Sequence, residues 1–289
     1  MNEETINGGL RPDKRDKRDI KIGAIYELPR LEDLPEDGMG IPKFIHIKDQ
    51  KSDDTCVARS SDAVSEDQEE VELCDYFTFA IIKMIEGDPE GWGAELRSAA
   101  KAHQKYGALE KTDCPLCKTN SHNIERDRFW DNWPDKEVLL QLALKHKKAS
   151  YFLVEGSYNK FDVIRATLWM CRLQKRSAFT GANWKNIWTY AKEGVIPKFD
   201  LEKGQFGHAF KIFDWKKIDG EIYLMAQLSN GTLIGNQGVF YFPRSVVNKE
   251  FFNAFTFLDM PAEEAKQRGW DWKIKTRERI KWYFNEICK

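Results

Sequence analysis

The stretch Asp49-Gln50-Lys51-Ser52-Asp53-Asp54-Thr55-Cys56-Val57-Ala58 constrains this chain most. It is a polar, turn-forming approach to a run, Val57 to Gln68, that contains neither Pro nor Gly. Asp53, Asp54 and Thr55 are residue types that cap helix N-termini, so the pattern predicts a helix with Cys56 in its first turn. The free N–H groups and dipole of a helix start favour a thiolate over a thiol. Cys56 is therefore the candidate nucleophile, with a lowered thiol pKa expected. Acidic side chains at Asp53 and Asp54 suit the same dipole and compete with the thiolate for it.

Bulk properties bound what such a nucleophile can serve. A chain of 289 residues is long enough for one large domain or two lobes with sizeable cores. Its mean hydropathy is −0.60, and no apolar run approaches the roughly 18–20 residues of a membrane span. The polar N-terminus lacks the apolar core of a signal peptide. A net charge of −1 gives no general electrostatic case for nucleic acid. The expected setting is cytoplasmic, with a virion-associated one as the alternative, and no membrane or nucleic-acid partner. Oligomeric state is open.

Residues 1–20 carry a mixed-charge run, Arg11 to Asp19, and little to bury, which predicts a mobile arm. Prolines 29, 35 and 42 imply an extended strap leading to Gln50. Helices are expected over Tyr76–Glu86, Ala94–Tyr106, within 129–148 and over Asp162–Gln174. Tyr151–Val154 is the first expected strand. His208–Trp215 and Glu221–Leu228 flank the turn pair Asp219-Gly220 and read as a hairpin. Val239–Phe242 and Phe255–Leu258 complete the expected strands. Residues 261–289 read as a helical tail, and His103 as a core or surface residue rather than a ligand.

Cys114-Pro115-Leu116-Cys117 with His122 has the spacing of a zinc knuckle. Only three ligands are local, so Cys74 or a remote residue would have to supply the fourth. An ordinary surface loop is the expected reading, with a redox pair as another, and no metal or cofactor is assigned.

Gln50 stands six residues before Cys56, and Gly207-His208-Ala209-Phe210 opens an apolar strand far downstream. The runs Gln227-Leu228-Ser229-Asn230-Gly231-Thr232 and Gly235-Asn236-Gln237-Gly238-Val239-Phe240 follow. Together, over about residues 40–260, these resemble the papain-like cysteine peptidases, in a divergent form similar to bacterial and phage members. In that family the histidine is expected roughly 130–150 residues after the cysteine, close to the separation found here.

The resemblance implies an α+β, two-lobe fold with a helical lobe, an antiparallel β-barrel lobe and the cleft between them. The implied divisions are 1–40 for arm and strap, 41–165 for the helical lobe, 166–260 for the barrel lobe and 261–289 for the tail. It implies a cysteine-type endopeptidase acting on a peptide or protein substrate without a cofactor. Cys56 would attack, His208 would act as base, and Gln50 would help hold the oxyanion. Aligned on Gly231-Thr232, the family's orienting asparagine falls on Leu228. Asn230 lies two residues on, on the same face of a regular strand, and is the candidate for that role. Val57 stands where an aromatic is usual. The family's first motif cysteine falls on Asp53, which removes a common disulfide and favours a reducing setting. Leu228 favours an alternative, a catalytically impaired papain-fold binding or structural protein of a virion or surface assembly. Gln50 argues against a third reading, an amidase or transglutaminase-like acyl transferase.

Overall fold

The computed structural model describes residues 8–38, 46–172, 177–183, 193–198 and 207–258. The expected tail, 261–289, lies outside them. Its elements in chain order are β1 (Leu10–Arg11), α1 (Ile22–Ile25), α2 (Cys56–Glu69), α3 (Asp75–Glu86), β2 (Ala94–Glu95), α4 (Leu96–Lys105), α5 (Pro115–Lys118), α6 (Ile124–Asp127) and α7 (Lys136–Ala143). There follow β3 (Ser150–Leu153), α8 (Lys160–Cys171), β4 (Ala178–Ala182), β5 (His208–Ile218), β6 (Glu221–Gln227), β7 (Val239–Pro243), α9 (Arg244–Glu250) and β8 (Phe255–Leu258).

Cys56 opens α2, as its place after a polar turn predicts. Thr55 holds the N-cap position, but its hydroxyl accepts from Arg59 Nε at 2.8 Å instead of capping a backbone N–H. The helix stops at Glu70, whose left-handed backbone (φ 57°) returns its N–H to Glu66 O at 2.9 Å. Twelve of the fourteen residues of α2 are buried, so the helix is wrapped on every side. Small residues Ala58, Ser60, Ser61, Ala63 and Ser65 permit that close approach. The Ser60 and Ser61 hydroxyls turn back onto Val57 O and Ala58 O, so they are satisfied within the helix.

Burying α2 also buries its charges, and each finds a partner on a different element. Glu66 meets Lys48 at 2.7 Å, and Lys48 also meets Asp75 at 2.6 Å. Asp62 accepts from Thr78 at 2.8 Å and faces His103 at 3.1 Å. Asp67 meets Lys211 of β5 at 2.8 Å and accepts from Ser177 at 2.6 Å. His103 is thus a core residue.

Around α2 sit α3 and α4. Helix α3 buries Phe77, Phe79, Ile81 and Ile82, each contributing roughly 1.5–3 kcal/mol. Gly87 (φ 65°) terminates it. On the other side lies a six-stranded sheet in the order β3-β8-β4-β5-β6-β7, with each named pairing antiparallel. Asp219 and Gly220 both have positive φ (49° and 82°), as a two-residue hairpin turn requires. The far face of the sheet forms a second core with α8 and α9, containing Phe161, Ile164, Phe210, Trp215, Phe242 and Val247. The strap joins that core through Ile22, Ile25, Leu28 and Leu34. The α+β class with a helical lobe and an antiparallel β lobe is as expected, although the described pairings form an open order with β3 and β7 at its ends. Among the described residues, no helix is long and apolar enough to cross a membrane.

Two departures have physical causes. Strand β4 (Ala-Phe-Thr-Gly-Ala) was not expected, because all five residues are buried and no polar–apolar alternation marks it. The expected mobile arm is packed over residues 8–19. Leu10 is buried, Arg97 binds Asp19 at 2.6 Å and takes Asp13 on its backbone N–H at 2.9 Å, and Arg11 meets Asp88 at 2.9 Å. Arg11, Asp13 and Asp19 are thus paired with the helical lobe, while Arg18 pairs with Asp16 inside the arm at 2.7 Å.

Because Asp67 and Lys211 are each about 1% exposed, removing one partner strands a buried charge. Asp67→Ala is expected to lower unfolding free energy by about 3–5 kcal/mol. The double change Asp67→Leu with Lys211→Met should recover most of it in a urea titration, and equal losses in both would show that the pair is not what matters.

Candidate active site

Cys56 is fully buried at the start of α2. Its Sγ receives the Gly9 N–H at 3.3 Å, and the backbone N–H groups of Ala209 and Val57 also point at it. The sulfur therefore touches the residue after His208, so the helix start and the start of β5 are adjacent. The expected lowering of the thiol pKa does not hold in this arrangement. Burial pushes Cys56 up to about 11, against the three N–H groups that favour the thiolate. Asp54 pushes in the same direction as burial.

His208 begins β5, paired with Ala182 of β4. Burial brings its imidazole down to about 4, and the Asn230 side chain beside it opposes that fall by hydrogen bonding. Leu228, at the position aligned with the family's asparagine, is a buried core side chain. Asn230 is brought to the histidine by a lacing between segments. Gln50 N donates to Ser229 O at 2.8 Å, Gly231 N to Lys48 O at 2.9 Å, and Asp49 bridges Asn230. The same lacing fixes Gln50. Its Oε1 accepts from Ser229 Oγ at 2.6 Å, and its Nε2 donates one N–H to Asp53 O at 2.8 Å. The segments that carry Gln50, Cys56, His208 and Asn230 thus adjoin where α2, β5 and the turn after β6 meet.

The two aspartates before the nucleophile are both engaged. Asp53 accepts from Tyr76 Oη at 2.7 Å. Asp54, nearly inaccessible, accepts from Gly93 N at 2.6 Å and from Arg128 Nη2 at 2.9 Å. Gly93, with φ 66°, could not carry a side chain, since a Cβ there would lie 2.3 Å from Gly9 O. Arg128 and Gly93, the partners of Asp54, escaped the sequence reading because nothing local couples residues so far apart.

The arm fills the groove over Cys56. Residues 8–11 run beside Gly93–Glu95 of the helical lobe, with Leu10 opposite Ala94 and Arg11 opposite Glu95 in parallel pairing. On the other side Leu10 exchanges hydrogen bonds with Gly207, at 2.8 and 3.1 Å. The carbonyls of Gly8, Gly9 and Leu10 accept from Trp92 Nε1, Ala94 N and Gly207 N respectively. The group presented to Sγ is an N–H rather than a carbonyl carbon. An extended backbone therefore occupies the groove in a geometry that thiolate attack cannot use.

A pH signature follows from His208. Its folded pKa, about 4, lies below the ordinary 6.5, so between those values the unfolded chain binds a proton that the folded chain does not. This contribution to stability is present above pH 6.5 and lost as pH falls toward 4, amounting to roughly 3 kcal/mol. Denaturant midpoints measured from pH 7 to 4 should fall less steeply in His208→Gln. An unchanged slope would mean that the imidazole is not held neutral by burial.

No protein-family model and no curated protein sequence matches the chain. Solved structures do. Xylellain, a cysteine protease from Xylella fastidiosa, superposes with a TM-score of 0.68 at 19% identity, covering 88% of this chain and 96% of its own. The Amb a 11 cysteine protease of ragweed pollen in its proform gives 0.58 at 14% identity, covering 81% and 67%. Procathepsin B from Trypanosoma congolense gives 0.54 at 15%, covering 86% and 82%. At these identities the likeness is one of fold: the chain has the fold of the papain-like cysteine proteases.

Proposed function

We propose that the protein is a cysteine-type endopeptidase in which Cys56 attacks a peptide carbonyl, and that the arm must leave the groove first. The observation that carries the reading is that the segments of Gln50, Cys56, His208 and Asn230 adjoin and that the extended backbone of residues 8–11 lies against Cys56 and Gly207. With the arm gone, water and the imidazole reach the sulfur. The desolvation that holds the thiol near 11 and the imidazole near 4 is then relieved. His208 takes the Cys56 proton, and the thiolate forms an acyl-enzyme. The Cys56 backbone N–H and the Gln50 amide face the developing oxyanion, and the imidazolium protonates the leaving amine. Water then attacks the thioester and releases the acid. Asn230, beside the imidazole, would orient it in place of the residue that Leu228 displaces, which supports the peptidase over an impaired binding protein.

Alkylation of Cys56 by iodoacetamide across pH 4–9 tests this. The starting protein should label slowly, in keeping with a buried thiol. Leu10→Glu withdraws an arm contact worth roughly 1.5–3 kcal/mol and should label roughly tenfold faster or more at pH 7. In that background labelling should persist below the free-thiol value of ~8.5, and His208→Ala should abolish the low-pH part. Labelling that ignores both substitutions would sink the reading.

Peptide-library cleavage by the Leu10→Glu protein gives a second check. Adding Gln50→Ala should lower kcat by about 10²–10³ with little change in KM, the signature of a lost oxyanion donor. A change confined to KM would assign Gln50 to ground-state binding instead.

A further inference from the structure

Away from the groove, the chain gathers Cys74, Cys114, Cys117 and His122 so that one donor atom from each lies within 4.8 Å of all the others. The surface loop expected for Cys114 to Cys117 is not what the structure contains, since Cys114 and Cys74 are buried. The missing fourth donor arrives from the start of α3, because residues 72–74 run beside 109–111. Cys74 N donates to Leu109 O at 2.8 Å, Lys111 N to Glu72 O at 2.8 Å, and Leu73 bridges Glu110.

The donor separations suit one small ion. Cys74 Sγ lies 3.1 Å from Cys114 Sγ and 3.5 Å from Cys117 Sγ. His122 Nε2 is 3.9 Å from the sulfurs of Cys74 and Cys114 and 3.0 Å from that of Cys117. A tetrahedral zinc with Zn–S of about 2.3 Å and Zn–N of about 2.0–2.1 Å needs edges of about 3.5–3.8 Å, within this range. The sulfurs are free thiols, too far apart for a disulfide bond. The other imidazole nitrogen is oriented as well: Nδ1 meets Asp127 Oδ2 at 3.0 Å, and that oxygen also accepts from Asn123 N at 2.9 Å. A carboxylate behind a histidine fixes the ring with Nε2 toward a metal. Tyr76 stacks on the imidazole with ring centroids 4.1 Å apart.

We propose that Cys74, Cys114, Cys117 and His122 bind one zinc ion in a closed, structural site. Three thiolates and an imidazole select a soft or borderline cation, and four protein donors leave no open position for catalysis. The ion ties α3 to the loop that carries Arg128, the residue that holds Asp54 beside the nucleophile. Tyr76, stacked on the ligand His122, holds Asp53 in the same turn. The site thus buttresses the entry to α2 from behind. It is independent of peptidase activity.

The test is the metal content of the full-length protein, purified under reducing conditions and dialysed, read by plasma mass spectrometry. About one zinc per chain is expected, retained in Cys171→Ser and lost in Cys117→Ser and His122→Ala. Chelator-stripped protein refilled with Co²⁺ should show the thiolate charge-transfer and intense visible bands of a tetrahedral site. Asp127→Asn should keep the ion but bind it about 10–100-fold more weakly against a chromogenic chelator. Should Cys117→Ser fail to fold, the starting protein's stoichiometry and cobalt spectrum still decide. Less than about a tenth of an equivalent of zinc, a six-coordinate cobalt spectrum, or zinc that survives both ligand substitutions would overturn the proposal.

Discussion

The structure depends on driving an acid-rich helix into the interior. Helix α2 carries Asp62, Glu66 and Asp67 at positions with almost no water, and a buried carboxylate persists only with partners. Those partners lie on the segments the groove needs. Glu66 fixes Lys48, two residues before Gln50, and the Lys48 carbonyl holds Gly231 beside Asn230. Asp67 fixes Lys211, three residues into the strand that His208 opens. Two neighbouring carboxylates on one helix therefore register both halves of the candidate site against Cys56. Buried pairs are poor sources of net stability but good at excluding other registers, since any slip strands a charge.

The second constraint is desolvation. A helix start and three converging N–H groups favour a thiolate at Cys56, yet burial, to which the arm lying over the sulfur adds, holds the thiol near 11. His208 moves the other way, to about 4, for the same reason. The covered pair is thus a neutral thiol and a neutral imidazole, and local electrostatic design is overruled by whether water is present. The arm achieves this with backbone hydrogen bonds to both walls and one buried leucine. Its charged residues, which composition reads as a mobile arm, clamp it through Arg97, Glu86 and Asp88.

The loop between α4 and α7 shows how distant parts are coordinated behind the groove. Arg128 reaches Asp54, Trp133 donates to Asp127 O at 2.7 Å, and Tyr76 bridges the His122 ring and Asp53. The cysteine–histidine cluster is at the centre of this arrangement, so the geometry at the start of α2 is set from two directions, by β5 in front and by this loop behind.

Sequence alone determined what is local or carried by spacing. The helix opened by Cys56, the Asp219-Gly220 hairpin, the Gly207-His208 strand start and the Gln50 approach are all set by residue types within a few positions of one another. The resemblance these motifs carry implied the papain-like fold that the structure has. Tertiary structure decided whatever depends on distant partners or excluded water. Pairing with buried neighbours defines β4, pairing across the fold brings Cys74 to Cys114, Arg97 helps order a charged arm, and burial reverses the expected direction of the thiol pKa. The reason is the same in each case. Dipoles, caps and turns act over one or two residues and can be read along the chain, whereas desolvation and ligand convergence are properties of the space that folding encloses.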